Sequence, residues 1–311
     1  MRVDVALASF RKPESLIYTL LTLHRHAAER VGTVWIDDDR SGDGSLAVLS
    51  DPELAARLSP WRIELHQHRR RVGSGVTAVT PAMARRLLRP GLAWSHRLRS
   101  AWFLATRGPT GAEDIRYGRA IARTGAPFLL ILHDDVEIRG DVVSHLLARM
   151  QEDPGLVIAG PLGQCWRCGH EGRCAPNRIL DGWRPDDRWP LTPPPPGLRW
   201  RRRDRACRIN EWCCMIRVEA ARALAAEAVH FGNAEDGGDT GAYWFAEAVA
   251  RGWRFADPFR PGGTDRWFAH GWQGHPGHAV WADQGQGRRT YNAAEVRARL
   301  AAEFGFTPAR R

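Results

Sequence analysis

The chain has 311 residues, of which 43% are hydrophobic, and carries a formal net charge of +10. This length and composition indicate a globular protein with a large core, in one large domain or two small ones. No window reaches the roughly 18 apolar residues of a membrane span, and the start MRVDVALASF lacks the layout of a signal peptide, so we expect a cytoplasmic protein. Lys12 is the only lysine, so arginine supplies the positive charge, which favours acidic partners such as nucleotide phosphates, nucleic acid or anionic glycans.

Strands and helical stretches alternate along the first part of the chain. The predicted elements are a strand at 3–8, a helix at 13–30, a strand at 33–36, a helix at 44–57, a strand at 62–66, an insertion rich in Gly and Arg at 69–110, a helix at 112–124 and a strand at 127–132. This alternation predicts a mostly parallel sheet with helices on both faces.

Two acidic clusters follow predicted strands. Asp37, Asp38 and Asp39 end the second strand, and Asp134 and Asp135 follow the apolar run LLIL. Taken alone, each cluster is typical of a solvated turn or a helix N-cap. Because ligands bind at the carboxyl ends of the strands in such sheets, the two clusters together favour a site at that edge.

Three sequence segments resemble glycosyltransferase family 2. They are ASFRKPESL near the start, IDDDRSGDGS at 36–45 and LHDDVEI at 132–138, and the resemblance spans roughly residues 1–160 and, more loosely, 209–275. The family's acidic metal-binding motif is normally Asp, any residue, Asp, but His133 stands at its first position here. The resemblance implies an α/β fold of the GT-A type, a Rossmann-like, mostly parallel sheet flanked by helices, to which the cysteines of this sequence add a Cys-rich insertion.

The same resemblance implies a donor site for a uridine-diphosphate sugar and a divalent cation, Mn²⁺ or Mg²⁺. The donor-binding residues it implies are Ala8, Phe10, Asp38, Asp39 and Asp134. Asp38 and Asp39 are expected at the base and ribose, and Asp134 at the ribose or sugar hydroxyls. A departing diphosphate needs its charge neutralised, and carboxylate oxygens hold hard divalent cations, so Asp135 is the expected metal ligand.

The second half of the chain is expected to supply the general base. The segment 209–224 is predicted as a strand feeding a helix, and Glu235, Asp236 and Asp239 precede a further amphipathic helix that ends near Gly252. The family places a Glu-Asp pair before this helix. Asp236 keeps that pairing, while Asp239 lies nearer the expected position and equally suits a helix N-cap. Either would deprotonate the acceptor hydroxyl in one step, which implies inversion.

The segment WFAHGWQGHPGHAVW contains His270, His275 and His278. In related enzymes a His beyond the acceptor region completes the metal shell, and His270 is best placed for this role. The surrounding Gly and Trp residues are typical of a lid over bound donor. A solvated loop with incidental histidines is the alternative.

A cysteine cluster, CWRCGHEGRC, lies at 165–174. Cys165, Cys168 and Cys174, joined by Cys207 or His170, offer the four ligands of a closed structural zinc site. Free buried thiols are the alternative, since disulfides are disfavoured in a reducing cytoplasm.

The sequence leaves two hypotheses for the acceptor molecule. Arg and Trp alternate in segments such as WSHRLRSAW and RWRRRDR, which favours a surface that tracks phosphates and stacks bases. One reading is therefore transfer to a hydroxymethylated DNA base, flipped out of the duplex. The other is assembly of a surface polysaccharide or lipid-linked glycan. A non-catalytic, zinc-stabilised nucleic-acid-binding protein is a third hypothesis for the chain.

The chain is expected to divide into four parts. These are a nucleotide-sugar-binding α/β half at 1–160, the Cys-rich and zinc-stabilised insertion at 161–208, an acceptor-side half with the base and a His-rich lid at 209–283, and a C-terminal helix with a basic tail at 284–311.

Overall fold

A computed structural model describes residues 1–42, 44–72, 79–84, 94–163, 208–233, 240–259, 263–273 and 289–308. The strands are β1 Val3–Ser9, β2 Val31–Asp38, β3 Arg62–Gln67, β4 Phe128–His133, β5 Val136–Ile138, β6 Leu156–Ala159, β7 Leu162–Gly163, β8 Arg208–Ile209, β9 Cys213–Arg217, β10 Arg254–Ala256, β11 Phe268–His270, β12 Trp272–Gln273 and β13 Arg289–Thr290. The α-helices are α1 Pro13–Ala27, α2 Ser45–Leu49, α3 Pro52–Arg57, α4 Pro81–Ala84, α5 Trp94–Arg107, α6 Gly118–Arg123, α7 Val142–Glu152, α8 Val218–Ala226, α9 Ala242–Ala250 and α10 Ala293–Phe304.

Seven strands form the main sheet, in the order β10-β6-β9-β4-β1-β2-β3. All neighbours in this sheet run parallel except β9, which lies antiparallel between β4 and β6. Strand β1 lies inside the sheet, with β2 on one side and the central strand β4 on the other. The predicted mostly parallel sheet is confirmed, and it is consistent with the GT-A architecture that the resemblance implies.

The apolar run of β4 is buried on both faces of the sheet. Leu130 and Leu132 pack in one core cluster with α1, α7 and α10, whereas Leu129 and Ile131 pack in the other with α6, α8 and α9. Successive side chains of a strand point to opposite faces, so a strand covered by helices on both sides must be apolar throughout. This double burial fixes the end of β4 in place.

Helix α1 follows the end of β1 directly. Pro13 occupies its first turn, where the missing N–H costs nothing and the fixed φ suits a helix. Leu16, Leu20 and Leu23 recur at helical spacing and are fully buried. The helix therefore begins at the carboxyl edge of the sheet and packs along one face.

Two predicted helices are interrupted. The stretch 44–57 forms α2 and α3, because Asp51 caps a new helix by accepting from Glu53 N at 2.8 Å. The stretch 112–124 begins as a short 3₁₀ turn and breaks at Tyr117, whose φ is 64°. Gly118 comes next, and a Cβ there would lie 2.1 Å from the Ala112 carbonyl oxygen. Close chain approach therefore prevents one continuous helix.

Helix α10 docks against α1 through buried polar contacts. Arg297 Nε donates to Glu14 Oε1 at 3.0 Å, and the Tyr291 hydroxyl also donates to Glu14. Tyr18 Oη donates to Glu303 Oε2 at 2.9 Å. The C-terminal helix therefore helps to hold the first turn of α1. Every helix within the described ranges falls short of the length and apolarity that crossing a bilayer requires.

Candidate functional site

The ends of three adjacent strands meet at one edge of the sheet. Ala8 pairs with Asp37 of β2 on one side and with His133 of β4 on the other. At the last residue of β1, Ser9 pairs with Asp38, and the Ser9 carbonyl oxygen accepts from Asp39 N at 2.9 Å. The two acidic clusters therefore flank the end of β1, as predicted from their positions after strands.

Asp134 and Asp135 share one partner, the side chain of Lys12. Lys12 Nζ lies 2.9 Å from Asp134 Oδ1 and 2.6 Å from Asp135 Oδ2. All three residues are buried. Burial by itself lowers the pKa of Lys12, but the two carboxylates outweigh it and hold that pKa above its ordinary value. The ammonium is therefore a permanent charge between the two acids.

The chain around Lys12 is held by further contacts. Phe10 N donates to Asp134 Oδ2 at 3.4 Å, and Arg11 N donates to Ser41 Oγ at 2.9 Å. Arg11 adopts a positive φ of 58°, which turns the chain sharply before α1. The turn after β1 thus contacts both acidic clusters.

Lys12 was not among the site residues predicted from the sequence. Its contacts with Asp134 and Asp135 join positions more than 120 residues apart, and local patterns do not predict such pairs. One indication was present, since the only lysine of an arginine-rich chain stands directly after the first strand.

Asp38 is engaged by its own loop. Its carboxylate accepts from Ser41 N at 2.9 Å and from Gln67 Nε2 at 3.0 Å, and also from the Ser41 hydroxyl. Asp39 Oδ1 accepts from Val72 N at 2.6 Å. In this state Asp38 orders the loop that follows β2, and the predicted nucleotide contacts of Asp38 and Asp39 stay predictions.

Asp37 is a buried carboxyl group with a raised pKa. It is 2% exposed, and burial raises its pKa to about 6, despite the opposing influence of His68 and Arg119. A carboxyl group with this pKa changes its charge a little below neutral pH, within the β2 end of the site.

Phe10 lies beneath two guanidinium groups. Arg71 Cζ lies 4.0 Å and Arg11 Cζ 5.1 Å from the centre of its ring. Both arginines are exposed, so cations stand over an aromatic ring at the rim of the site. This arrangement is suited to a phosphate next to a stacked ring.

Further titratable side chains surround Asp135. His133 Nδ1 lies 3.9 Å from Asp135 Oδ1, and His133 Nε2 lies 3.8 Å from Glu211 Oε1. Glu211 in turn pairs with buried Arg208 at 2.6 Å. Sequence analysis did not identify Glu211 or Arg208 as part of this site, because they reach it only through the antiparallel insertion of β9 and the loop before it.

The backbone of His270 also lies near Asp135. Strand β11 pairs antiparallel with β5, and His270 lies opposite Val136. Gly271 N donates to the Asp135 carbonyl oxygen at 2.8 Å. The backbone at His270 therefore lies next to Asp135, and the ligand role of His270 stays a prediction.

The described residues do not by themselves fit a divalent cation at Asp135. A carboxylate oxygen that ligates Ca²⁺ or Mg²⁺ must face the ion, whereas Lys12 Nζ lies against one oxygen of Asp134 and one of Asp135. Across the ranges that the structure describes, no group of three or more His, Cys, Asp or Glu side chains is arranged to hold a metal ion. The metal-ligand role of Asp135 stays a prediction.

Several predicted site residues lie outside the described ranges. They are the base candidates Asp236 and Asp239 and the zinc candidates Cys165, Cys168, Cys174 and Cys207. Their roles stay predictions. Cys213 and Cys214, which the structure does describe, are buried free thiols in β9.

No protein-family model and no curated protein matches the sequence. Solved structures with a similar chain path include a mannosyltransferase from Pyrobaculum calidifontis in complex with GDP-Man and Mn²⁺, at 11% identity, a TM-score of 0.47, and coverage of 83% of this chain and 54% of that one. This chain thus spans about half the length of that protein.

Two further structures are similar at the same level. Glucosyl-3-phosphoglycerate synthase from Mycobacterium tuberculosis, in complex with phosphoglyceric acid, has 12% identity, a TM-score of 0.41, and coverage of 82% of this chain and 69% of that one. Mouse xyloside xylosyltransferase 1, in its apo form, has 13% identity, a TM-score of 0.41, and coverage of 82% and 84%. Likeness at this level says nothing of what this chain binds.

Proposed function

We propose that the protein is a glycosyltransferase that moves a sugar from a nucleoside diphosphate, a UDP-sugar by the family resemblance, to an acceptor hydroxyl. The observation that carries the proposal is the convergence of two acidic clusters and a buried lysine at the ends of β1, β2 and β4. Ligands of such sheets bind at this edge. Carboxylates suit base and hydroxyl groups, and fixed cations suit a diphosphate.

The donor would lie across the end of β1. Asp39 and the loop ordered by Asp38 would face the base and ribose, and Phe10 with Arg71 would flank the nucleotide. Asp134 lies on the other side of β1, next to Lys12, where it would face ribose or sugar hydroxyls. In this orientation the diphosphate would lie close to Lys12.

The general base of the proposed reaction is inferred from the sequence alone. Asp239 or Asp236 would take the proton of the acceptor hydroxyl as its oxygen attacks the anomeric carbon, which gives inversion in one step. Helix α9 begins at Ala242, directly after this segment.

For the acceptor, we propose an acidic polymer, with a hydroxymethylated base in DNA as the specific case. The net charge of +10 and the exposed Trp102 on the arginine-containing helix α5 support this proposal. A surface polysaccharide or a lipid-linked glycan is the alternative acceptor, and it requires no affinity for DNA.

Donor hydrolysis tests the proposal. Purified protein is incubated with a panel of UDP-sugars and GDP-sugars, and released nucleoside diphosphate is measured. We expect hydrolysis of at least one donor and a loss of at least about tenfold in Asp134→Asn, since a hydroxyl-binding carboxylate is removed. Glu219→Gln, in the first turn of α8 and away from the edge of the sheet, is the matched control. No release from any donor would contradict the proposal.

Mass analysis then identifies the acceptor. DNA containing hydroxymethylated bases and a set of glycan acceptors are incubated separately with enzyme and the intact sugar nucleotide that the hydrolysis assay identifies. A mass increase of one sugar on the DNA supports the specific proposal, and an increase on a glycan alone supports the alternative.

A further inference from the structure

The positive charge beside Asp134 and Asp135 belongs to the chain itself. Lys12 Nζ contacts an oxygen of each carboxylate, at 2.9 Å and 2.6 Å, and its side chain is 9% exposed. The resemblance assigns this place to a divalent cation. The structure instead puts an ammonium group there.

The local backbone determines this position of Lys12. Residue 12 is the N-cap of α1, and its carbonyl oxygen accepts from Leu16 N at 3.0 Å. The preceding residues are held by Asp134 and Ser41, through Phe10 N and Arg11 N. A side chain at residue 12 therefore starts from a fixed point beside the two acids.

A divalent cation at Asp135 would compete with this arrangement. Bidentate ligation by Asp135 would need the carboxylate oxygen that lies 2.6 Å from Nζ, and an ion held by either oxygen would meet a buried positive charge of the same sign. An exposed lysine could move into water, but this ammonium would have to leave two carboxylates together. Each of these effects disfavours a metal ion while Lys12 is in place.

We propose that Lys12 provides the cation of the donor site, so that nucleoside diphosphate binds and the sugar is transferred without a divalent metal. This inference rests on the proposed function and specifies how its donor site is charged. Arg11 and Arg71, exposed beside Phe10, provide further positive charge for the phosphates.

The reaction balances without a metal ion. The bond between the acceptor oxygen and the anomeric carbon forms as the bond from that carbon to the diphosphate oxygen breaks. The electron pair of the broken bond stays on the diphosphate, whose added negative charge Lys12 stabilises. The acceptor proton goes to the general base of the proposed function.

Nucleotide binding is the first test. UDP and GDP are titrated by calorimetry into wild-type protein, once with EDTA and once with Mn²⁺. We expect the affinity to change by less than about twofold between the two conditions, and to fall at least about tenfold in Lys12→Met, because one charge-assisted contact is lost. Lys12→Arg keeps the charge and should retain most of the affinity. Wild-type affinity that falls more than about tenfold in EDTA would overturn the inference.

Manganese binding is the second test, and it does not depend on activity. Bound Mn²⁺ is measured by the loss of the free-ion signal in electron paramagnetic resonance. Wild-type protein should bind no more Mn²⁺ than Asp135→Asn does, whereas Lys12→Ala should gain a site that disappears in the double variant Lys12→Ala, Asp135→Asn. Arg251→Met removes a cation from an exposed pair with Glu227 and should gain no site.

The two tests separate the proposals. If neither UDP nor GDP binds under any condition, the proposed function fails, and the manganese measurement still decides the role of Lys12. Binding of Mn²⁺ by wild-type protein that depends on Asp135 would overturn the inference and leave a metal-dependent glycosyltransferase. The comparison of wild-type protein with Asp135→Asn needs no Lys12 variant, so poor folding of Lys12→Ala would not prevent a decision.

Discussion

Arg11 and Ser41 join the turn after β1 to the loop after β2. Arg11 N donates to Ser41 Oγ at 2.9 Å, and the same hydroxyl donates to Asp38. Ser41 is buried. One side chain thus links the lysine-containing turn to the nucleotide loop, so the two halves of the candidate donor site are fixed relative to each other.

We predict that Ser41→Ala lowers the free energy of unfolding by about 1–3 kcal/mol, because it removes the acceptor of the Arg11 N–H and one of the donors to buried Asp38. Nucleotide affinity should fall with it, since both loops gain freedom. Urea unfolding and UDP titration measure the two effects. Ser50→Ala is the control, because its exposed hydroxyl donates only to Leu46 O within its own helix. Equal stability of Ser41→Ala and Ser50→Ala would contradict this prediction.

Asp37→Asn should stabilise the protein at neutral pH. The pKa of Asp37 rises from 3.8 to about 6 on folding, so between these pH values the native state binds more protons than the unfolded chain. The contribution of Asp37 to stability therefore falls as pH rises from about 4 to 6 and stays low above that. The stability lost between these two pH values is on the order of 3 kcal/mol.

Urea unfolding of wild-type protein and of Asp37→Asn, at a series of pH values from about 4 to 7.5, gives the stability of each as a function of pH. The two curves should be closest at the acidic end and separate as pH rises, with the variant more stable. Glu152→Gln, at an exposed carboxylate paired with Arg149 at 3.5 Å, should change stability by less than about 0.5 kcal/mol. A constant difference between wild type and Asp37→Asn across the series would show that Asp37 does not titrate in this window.

Arg297→Met should destabilise the protein by about 1–3 kcal/mol, because Glu14 is 2% exposed and loses a charged donor. Tyr291 remains as a partner of Glu14, so the loss should be partial. Thermal or urea unfolding measures the change. Arg149→Met removes an exposed arginine from its pair with Glu152 and should cost less than about 0.5 kcal/mol. Similar values for the two variants would argue against the buried network as a stabiliser of α10.

The zinc prediction concerns the cysteine cluster outside the described ranges. Protein purified without chelator should contain about one Zn²⁺ per chain, and Cys168→Ser should lose it together with part of the thermal stability, because metal binding and local folding are linked. Elemental analysis measures the metal. Cys213→Ala, in the buried strand β9, should lose stability but keep the zinc. Wild-type protein without zinc would favour free thiols.

Salt dependence tests the DNA acceptor. A protein that contacts two or three phosphates releases counterions, so its affinity for DNA should fall at least about tenfold between roughly 50 and 200 mM salt. Replacing Arg201, Arg202 and Arg203 together should flatten this dependence and leave donor hydrolysis nearly unchanged. Fluorescence anisotropy with labelled DNA measures both. Failure to bind DNA at the lower salt concentration would favour a glycan acceptor.

The sequence predicted those features that depend on local pattern. The buried run of β4 and the acids after it were identifiable because apolar residues and carboxylates are neighbours in the chain. The antiparallel position of β9 between β4 and β6 could not be predicted from the sequence, since strand pairing is decided by tertiary packing. The break at Tyr117 depends on the contact between Gly118 and Ala112, which no propensity reveals.

The single lysine of the chain makes its candidate donor site directly observable. Protein grown with isotopically labelled lysine would give one side-chain resonance, that of Lys12, without any need for assignment. Its side chain is buried, so amine-reactive reagents should modify Lys12 slowly in the native protein and much faster after unfolding.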